Sequence, residues 1–509
     1  MVAPLLTAVP GTPIAVPGTA VSTGSPLYTR EHVMARAGQG DYFEWLDHVW
    51  PAAGCAHPIR LHGQVLTLDA RTGAQLSALH TEALPDGVIY KACGNRRAAV
   101  CPACSVVYRR DAFQLLRAGL VGGKSVPDTV SQHPAVFATF TAPSFGPVHT
   151  RHVRKHSCAD KNRCGCRPEP CHARRDTPDC EHGQAAACFA RHEHDDGALG
   201  HPLCLDCYDH DHQVVWNHGA GELWRRTKQH IERYLNRLRR RRGIPGKLAV
   251  SHGKAAEFQI RGAVHFHVLL RLDAVDPDDK TLVLPPPPGM TVSDIDDAVK
   301  HAAAAISYTT DTHPDRSSGW LIGWGRQVDV RVITLSGDNT VTDSMVAGYL
   351  AKYSTKGTES TGHSSRRLDG DTIGVYADPA GSHPARLIAA CWRLGRVNAW
   401  TGLRRWAHML GFGGHFLTKA RRYSVTFAAL RHARVTYRRS EGNGPEYNPI
   451  AAVEHVEEET TLIVGRLTYA GSGWRNTGDA MLANTAAALA REHQKAGRED
   501  LAHEEGTHA

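Results

Sequence analysis

The segment Val264-His265-Phe266-His267-Val268-Leu269-Leu270 constrains this chain more than any other. It is short, apolar and rich in side chains that suit a pleated surface, so it reads as a central strand buried on both faces. Along a strand, residues i and i+2 share a face. His265 and His267 therefore stand side by side, while Phe266 and Val268 turn the other way into a core. Two adjacent imidazoles can hold a divalent cation and leave positions open for water or phosphate. The plainer alternative is a pair of half-buried histidines with ordinary hydrogen-bond partners, a common fate in a chain with 32 His.

Two further segments decide between these readings. Upstream, Ala256-Glu257-Phe258-Gln259-Ile260-Arg261 alternates like a strand, and Gly262-Ala263 permits a short turn. An antiparallel hairpin there brings Glu257 or Gln259 to the histidines. Glu257 is the better ligand, because an anionic oxygen neutralises a cation and an amide does not. A His, His, carboxylate set with open positions suits Mg²⁺ or Mn²⁺ handling phosphate oxygens. Downstream, Met345 to Tyr353 has a helical pattern, with Asp343 or Ser344 as N-cap. Tyr349 and Tyr353 are spaced i, i+4 and share a helix face. Lys352 follows Tyr349 by three residues, and Lys356 follows Tyr353 by three. A phenol with a pKa of about 10 is a poor nucleophile until a cation favours the phenolate. Two core tyrosines beside solvated lysines are the ordinary alternative on an amphipathic helix.

Taken together, the motifs resemble those of HUH-type rolling-circle replication initiators of actinobacterial plasmids and integrative elements, in the two-tyrosine version. Phe137-Ala138-Thr139-Phe140-Thr141-Ala142-Pro143-Ser144-Phe145-Gly146 is similar to the family's opening strand, Val264–Leu270 to its metal motif, and Gly348–Lys356 to its tyrosine motif. The resemblance spans roughly residues 90 to 435, and its specificity comes from three spaced motifs in one order. It implies an α+β nuclease with a central antiparallel sheet flanked by helices. It also implies site-specific nicking of origin DNA, single-stranded or in a hairpin, with a 5′-phosphotyrosyl link and a free 3′-OH primer as products. The implied roles are His265, His267 and Glu257 for the divalent ion, Tyr353 and Tyr349 as nucleophiles with Tyr353 the firmer assignment, and Lys352 and Lys356 against developing charge. A host helicase and DNA polymerase are the expected partners. A transposase or conjugative relaxase would share the chemistry. A zinc-dependent DNA-binding regulator without catalysis is the rival of another class.

Composition agrees with a polyanionic partner. The 509 residues carry a net charge of +8. Basic side chains cluster at Arg237-Leu238-Arg239-Arg240-Arg241-Arg242, which closes a helix beginning near Glu222, at Arg404-Arg405-Trp406 and at Lys419-Ala420-Arg421-Arg422-Tyr423. Cations interleaved with aromatics suit phosphate contact with base stacking, and a solvated helix face is the alternative. No apolar run reaches about 18 residues, so no membrane span is expected. Met1 to Pro26 lacks a charged start before an apolar core, which points to a disordered lead and a cytoplasmic protein.

A cytoplasmic chain with 13 cysteines calls for metal rather than disulfides. Cys93, Cys101 and Cys104 contain one Cys-x-x-Cys knuckle, and Cys204 and Cys207 form a second; drawn together, they would hold a structural Zn²⁺. Between the knuckles lies a run with Cys158, Cys164, Cys166, Cys171, Cys180 and Cys188, read as a metal-stapled insert. Cys55 and Cys391 stand apart as buried thiols. The predicted organisation is a variable, partly disordered lead (1–85) and a nuclease (86–380) holding the knuckle (93–104) and a Cys/His insert (158–207). A basic helical accessory region (381–440) and a tail of unknown role (441–509) follow.

Overall fold

A computed structural model describes residues 26–158, 165–173, 179–334, 341–358, 367–440 and 461–507. Chain-order elements begin with α1 (Pro26–Ala37), α2 (Tyr42–Val49), β1 (Ile59–Asp69), β2 (Gln75–His80), β3 (Ile89–Lys91) and α3 (Pro102–Val121). The next are β4 (Ala135–Phe140), α4 (His210–Arg241), β5 (Leu248–Phe258), β6 (Val264–Ala274), α5 (Val292–Ala305), β7 (Ser307–Thr309) and β8 (Leu321–Gly323). Then come β9 (Val328–Thr334), β10 (Val341–Thr342), α6 (Asp343–Tyr353), α7 (Ile373–Tyr376), α8 (His383–Leu394), α9 (Thr401–Arg405), β11 (Leu417–Lys419), α10 (Phe427–Ser440) and β12 (Thr461–Ser472). A C-terminal helix, Thr477–Thr507, closes the chain.

The chain divides into two units, Arg109–Arg434 and a second assembled from Met1–Tyr108 with Val435–Ala509. The predicted boundaries at 85, 380 and 440 do not coincide with them. The region expected as an accessory domain belongs to the larger unit: Leu387, Ile388, Leu394 and Leu403 sit in its core, and β11 pairs with β5. The lead and the tail are parts of one body, because β1 pairs with β12 over its whole length, Ile59 opposite Ser472 through Asp69 opposite Thr461. Residues 1–25 of the expected lead and Cys164 of the expected insert lie outside the described residues.

In the larger unit a six-stranded sheet runs β10-β9-β4-β6-β5-β11. Its neighbours are antiparallel apart from β10 and β9. The strand expected at the centre is there for the expected reason. Val264, Phe266, Val268, Leu270 and Leu272 are all 0% exposed on one face, and each such side chain contributes about 1.5–3 kcal/mol on leaving water. Residues of α4, α5 and α8 share that core. Helix α4 starts twelve residues before the expected Glu222, because the Asp209 side chain accepts from His212 N and Val214, Trp216 and Ala220 extend the apolar stripe. Helix α5 begins with a capping box between Thr291 and Asp294 and stops at Ala305, two residues before β7.

The opposite face of β6 is polar, and its two ends differ. At the far end Arg271 and Asp273 form a fully buried ion pair of 2.8 Å, with His133 Nδ1 on Asp273 Oδ1 (2.8 Å) and Ser251 Oγ on Oδ2. Every lone pair of that carboxylate is engaged, so the group is structural. At the near end β5 and β6 are joined by a turn over residues 259–263, with Gln259 N bonded to Ala263 O. Gly262 has φ +78, and a Cβ there would lie 2.8 Å from Leu410 Cδ1, so only glycine fits. No described helix is long and apolar enough to cross a membrane.

Candidate active site

Pairing across the hairpin sets Glu257 opposite His265 and Ala255 opposite His267. Glu257 Oε2 lies 3.2 Å from His265 Nε2 and 3.1 Å from His267 Nε2, and the two Nε2 atoms are 3.1 Å apart. Gln259, the other upstream side chain weighed as a ligand, instead accepts from Arg261 Nε. The donor triangle fits a metal. Octahedral bonds of about 2.1–2.3 Å separate neighbouring ligands by about 3.0–3.2 Å, so the trio can occupy one face and leave three positions open.

Protonation suits that use. Burial pushes the Glu257 carboxyl up, but the hydrogen bonds to His265 and His267 outweigh it and bring it down to about 2. Burial holds His267 below the usual imidazole range. An anionic carboxylate beside a neutral imidazole is the state a cation requires. Behind His267 stands Thr139, its partner in the pairing of β4 with β6; Thr139 Oγ1 is 3.1 Å from Nδ1. Phe137 stacks on the same imidazole, with centroids 5.8 Å apart at 9°. The sequence motifs assign neither residue a role. Their signal was strand periodicity: Phe137 and Thr139 are two residues apart on the face that meets His267.

Helix α6 brings the tyrosines to the trio. Its N-cap is Thr342, which accepts from Met345 N, one residue before the expected caps. Val346, Ala347, Leu350 and Ala351 anchor it, leaving the Tyr349 and Tyr353 rings in contact, centroids 4.3 Å apart and tilted at 50°. Tyr349 Oη is 3.3 Å from His267 Nε2, and the Tyr353 ring is 5.8 Å from the His267 ring. Burial first, then Tyr353 and Glu257, hold the Tyr349 phenol well above its ordinary value. Lys356 Nζ sits 4.2 Å from the Tyr353 ring centre and 3.4 Å from Glu257 Oε1. Lys352 Nζ is farther, 5.8 Å from that ring. Imidazoles, carboxylate, phenols and ammonium groups thus meet at one end of the sheet, an arrangement able to bind a cation and a phosphate together.

The cysteines sort differently from the expectation. Cys93, Cys101 and Cys104 are joined by Cys55, which had been set aside as a lone buried thiol. Cys93 and Cys104 sulfurs are 3.7 Å apart, and those of Cys101 and Cys55 3.8 Å. Zn–S bonds of about 2.3 Å give tetrahedral edges of about 3.8 Å, so this set could hold zinc. Cys204 and Cys207 belong to the other unit, and their partners there are Cys180 and His182. Each knuckle is thus grouped with cysteine or histidine side chains of its own unit. Cys391 is buried in the core of the larger unit, outside every such group among the described residues.

The basic clusters also divide by role. Arg242 makes a two-pronged pair with Asp294 at 2.7 Å, and Arg404 lies over the Trp392 ring; both are structural contacts. Arg233, Arg237, Arg240, Lys247 and Lys280 line a groove of about 850 Å³ with Glu232, at the end of the hairpin away from the trio.

Comparison with known proteins agrees with the expectation of a replication initiator. The model of the RepSA family, described as "Replication initiator protein, pSAM2", matches residues 41–488. The chain is 39% identical over 477 residues to a replication initiator protein of Streptomyces ambofaciens, covering 91% of this chain and 94% of that one. No solved structure matches. The chain therefore belongs to the RepSA family of replication initiator proteins.

Proposed function

We propose that this plasmid replication initiator is an HUH-type endonuclease that nicks one strand of its origin and stays joined to the 5′ end. The observation that carries the reading is the placement of two adjacent tyrosines against the His-His-Glu trio, with Tyr349 Oη 3.3 Å from His267 Nε2. His265, His267 and Glu257 would hold Mg²⁺ or Mn²⁺. Such an ion, when bound, withdraws charge from a non-bridging oxygen of the scissile phosphate.

The chain's own residues do the rest. The Tyr353 oxygen attacks phosphorus and gives up its proton to solvent, and the bond to the 3′ oxygen breaks. That oxygen takes up a proton from solvent and leaves as a 3′-OH, and the 5′ phosphate remains on the tyrosine. Lys356, above the Tyr353 ring, favours the phenolate, with Lys352 adding positive charge beside it. Tyr349, on the same face, is placed to cut the regenerated origin after one round. The released 3′-OH then attacks the first phosphotyrosine and closes a circle, with no net change in the number of phosphodiester bonds.

The free 3′-OH calls for a host DNA polymerase, and strand displacement for a helicase. Plasmid DNA places the activity in the cytoplasm. Family membership favours replication over transposition or conjugative transfer, which use the same chemistry. A regulator without catalysis would leave the trio and the doubled tyrosines without a role.

The test is a labelled single-stranded origin oligonucleotide incubated with the protein and Mn²⁺, resolved on a denaturing gel. Mass spectrometry of the trapped peptide is expected to place the DNA on Tyr353. Tyr353→Phe should abolish the adduct while DNA binding survives. Adduct formation in EDTA would refute the metal role, and an adduct lost only in Tyr349→Phe would reverse the order of the tyrosines.

A further inference from the structure

Between β4 and α4, beside the trio His156, Cys158 and Cys166, the chain places two groups of four side chains that could hold a metal, His149, Cys171, Cys188 and His192, and Cys180, His182, Cys204 and Cys207. Within each group the candidate ligand atoms all lie within 4.8 Å of one another. We propose that this segment is a cross-braced zinc module, with one Zn²⁺ held by each group.

Packing alone cannot hold this stretch. Among its described residues there is no helix or regular strand, only isolated bridges such as Val148 with Pro202 and His172 with Cys188. Ala142, Phe145 and Tyr208 at its two ends pack into the core of the larger unit, but between His149 and Cys207 the buried apolar side chains among the described residues are only Leu199 and the Cys204 thiol. A segment with so little core needs another source of order, and zinc supplies it. The cysteines concerned are free thiols, so disulfides do not provide it.

The geometry within each group suits zinc. Tetrahedral Zn–N and Zn–S bonds of about 2.0 and 2.3 Å place neighbouring ligands about 3.3–3.8 Å apart. In the first group His149 Nδ1 and His192 Nε2 are 3.1 Å apart, Cys188 Sγ and His192 Nε2 3.6 Å, and Cys171 Sγ and His149 Nδ1 4.0 Å. In the second, His182 Nδ1 is 3.2 Å from Cys207 Sγ and 4.0 Å from Cys204 Sγ. Outer partners are present too. Asp196 Oδ2 holds His192 Nδ1 at 2.6 Å, which turns Nε2 toward the group, and Thr150 N donates to Cys171 Sγ at 3.1 Å.

The order of ligands along the chain gives the bracing. Two from the first group are followed by two from the second, then two from the first and two from the second. Each ion thus closes a loop that contains ligands of the other, so emptying either group loosens both. The module sits against the hairpin turn that leads into His265: a Cβ at Gly200 would lie 2.7 Å from Ile260 Cβ.

The test counts zinc in the full-length protein by native mass spectrometry and needs no nicking assay, so its outcome is independent of the nuclease reading. Cys188→Ser and Cys204→Ser should each lose at least one zinc relative to wild type, and the double variant at least two. Cys391→Ser, outside both groups, should keep the full count. Each single variant should also yield its remaining module zinc to a chromogenic chelator at least tenfold faster. Should the variants fold poorly, wild type titrated with Co²⁺ still reports the module, through tetrahedral d–d bands and thiolate charge-transfer absorption that keep growing for two equivalents beyond the one that the Cys55 group could take. An undiminished zinc count in both variants, absence of those bands, or a disulfide among these cysteines would overturn the zinc module. An unchanged release rate would overturn the bracing.

Discussion

Replacing Thr139 with valine isolates one atom of the proposed metal site. Thr139 Oγ1 is 3.1 Å from His267 Nδ1, and His267 is 3% exposed, so water cannot take over the contact. With a cation bound, Nε2 must present its lone pair, and the ring proton belongs on Nδ1, donated to Thr139. Valine keeps the strand geometry and removes the acceptor. Without metal the ring can shift its proton to Nε2 and donate to Glu257, 3.1 Å away, so the metal-free protein escapes most of the penalty. The metal-bound protein cannot, and a buried unpaired N–H costs about 1–3 kcal/mol. Outer partners of ligating histidines are typically worth about 10–100-fold in affinity, or about 1.4–2.7 kcal/mol. The half-saturating Mn²⁺ concentration for nicking should therefore rise about 10–100-fold in Thr139→Val, with the saturated rate recovered to within about threefold. The assay is nicking rate against Mn²⁺ at fixed oligonucleotide. A half-saturation within twofold of wild type would refute the role given to Thr139.

Removing a ligand outright is more severe: His267→Ala should abolish nicking at any Mn²⁺ or Mg²⁺ concentration while oligonucleotide binding persists in a gel-shift assay. Origin DNA lying in the basic groove at the far end of the hairpin predicts a salt signature. Arg237→Ala with Arg240→Ala should lower the slope of log affinity against log salt by about 1.4–1.8, taking about 0.7–0.9 per phosphate contact, and an unchanged slope would remove both from the interface. Stability should fall in mild acid. Burial, then nearby Lys228, Lys254 and Lys419, brings His252 down to about 3, and burial with adjacent positive charge brings His210 and His383 to about 4. These folded values lie below the unfolded imidazole value, so the unfolded chain binds more protons as pH drops below about 6.5, and the contribution is lost down toward the folded values. Each imidazole removes roughly 2 kcal/mol by pH 5; urea unfolding at pH 7 and pH 5 measures it, and equal stabilities would show that these rings are solvated.

Local periodicity accounts for what was legible in advance. A two-residue repeat on an apolar strand put His265 and His267 on one face, and a four-residue spacing put Tyr349 and Tyr353 on one face of a helix. Those relations hold wherever the strand and helix form, because backbone geometry alone sets them. The short hairpin turn extended the same logic to Glu257, whose register with His265 follows from the chain reversing at residues 259–263. That the helix would meet the strand was legible only through resemblance of the three motifs in order.

Contacts between distant stretches were decided by the tertiary structure. A thiol carries no mark of its partner, so the sequence by itself could count cysteines and find knuckles but could not pair them. Folding set Cys55 with Cys93, Cys101 and Cys104, and Cys180 and His182 with Cys204 and Cys207. The same holds for β1 and β12, nearly 400 residues apart in the chain, whose pairing turns an apparent lead and tail into one body. It holds for Thr139 as well: a hydroxyl on a strand becomes a histidine's partner only when strand order places β4 beside β6. Short-range spacing specifies faces, whereas long-range packing chooses which faces meet, because that choice depends on the burial of the whole core rather than on any local run of residues.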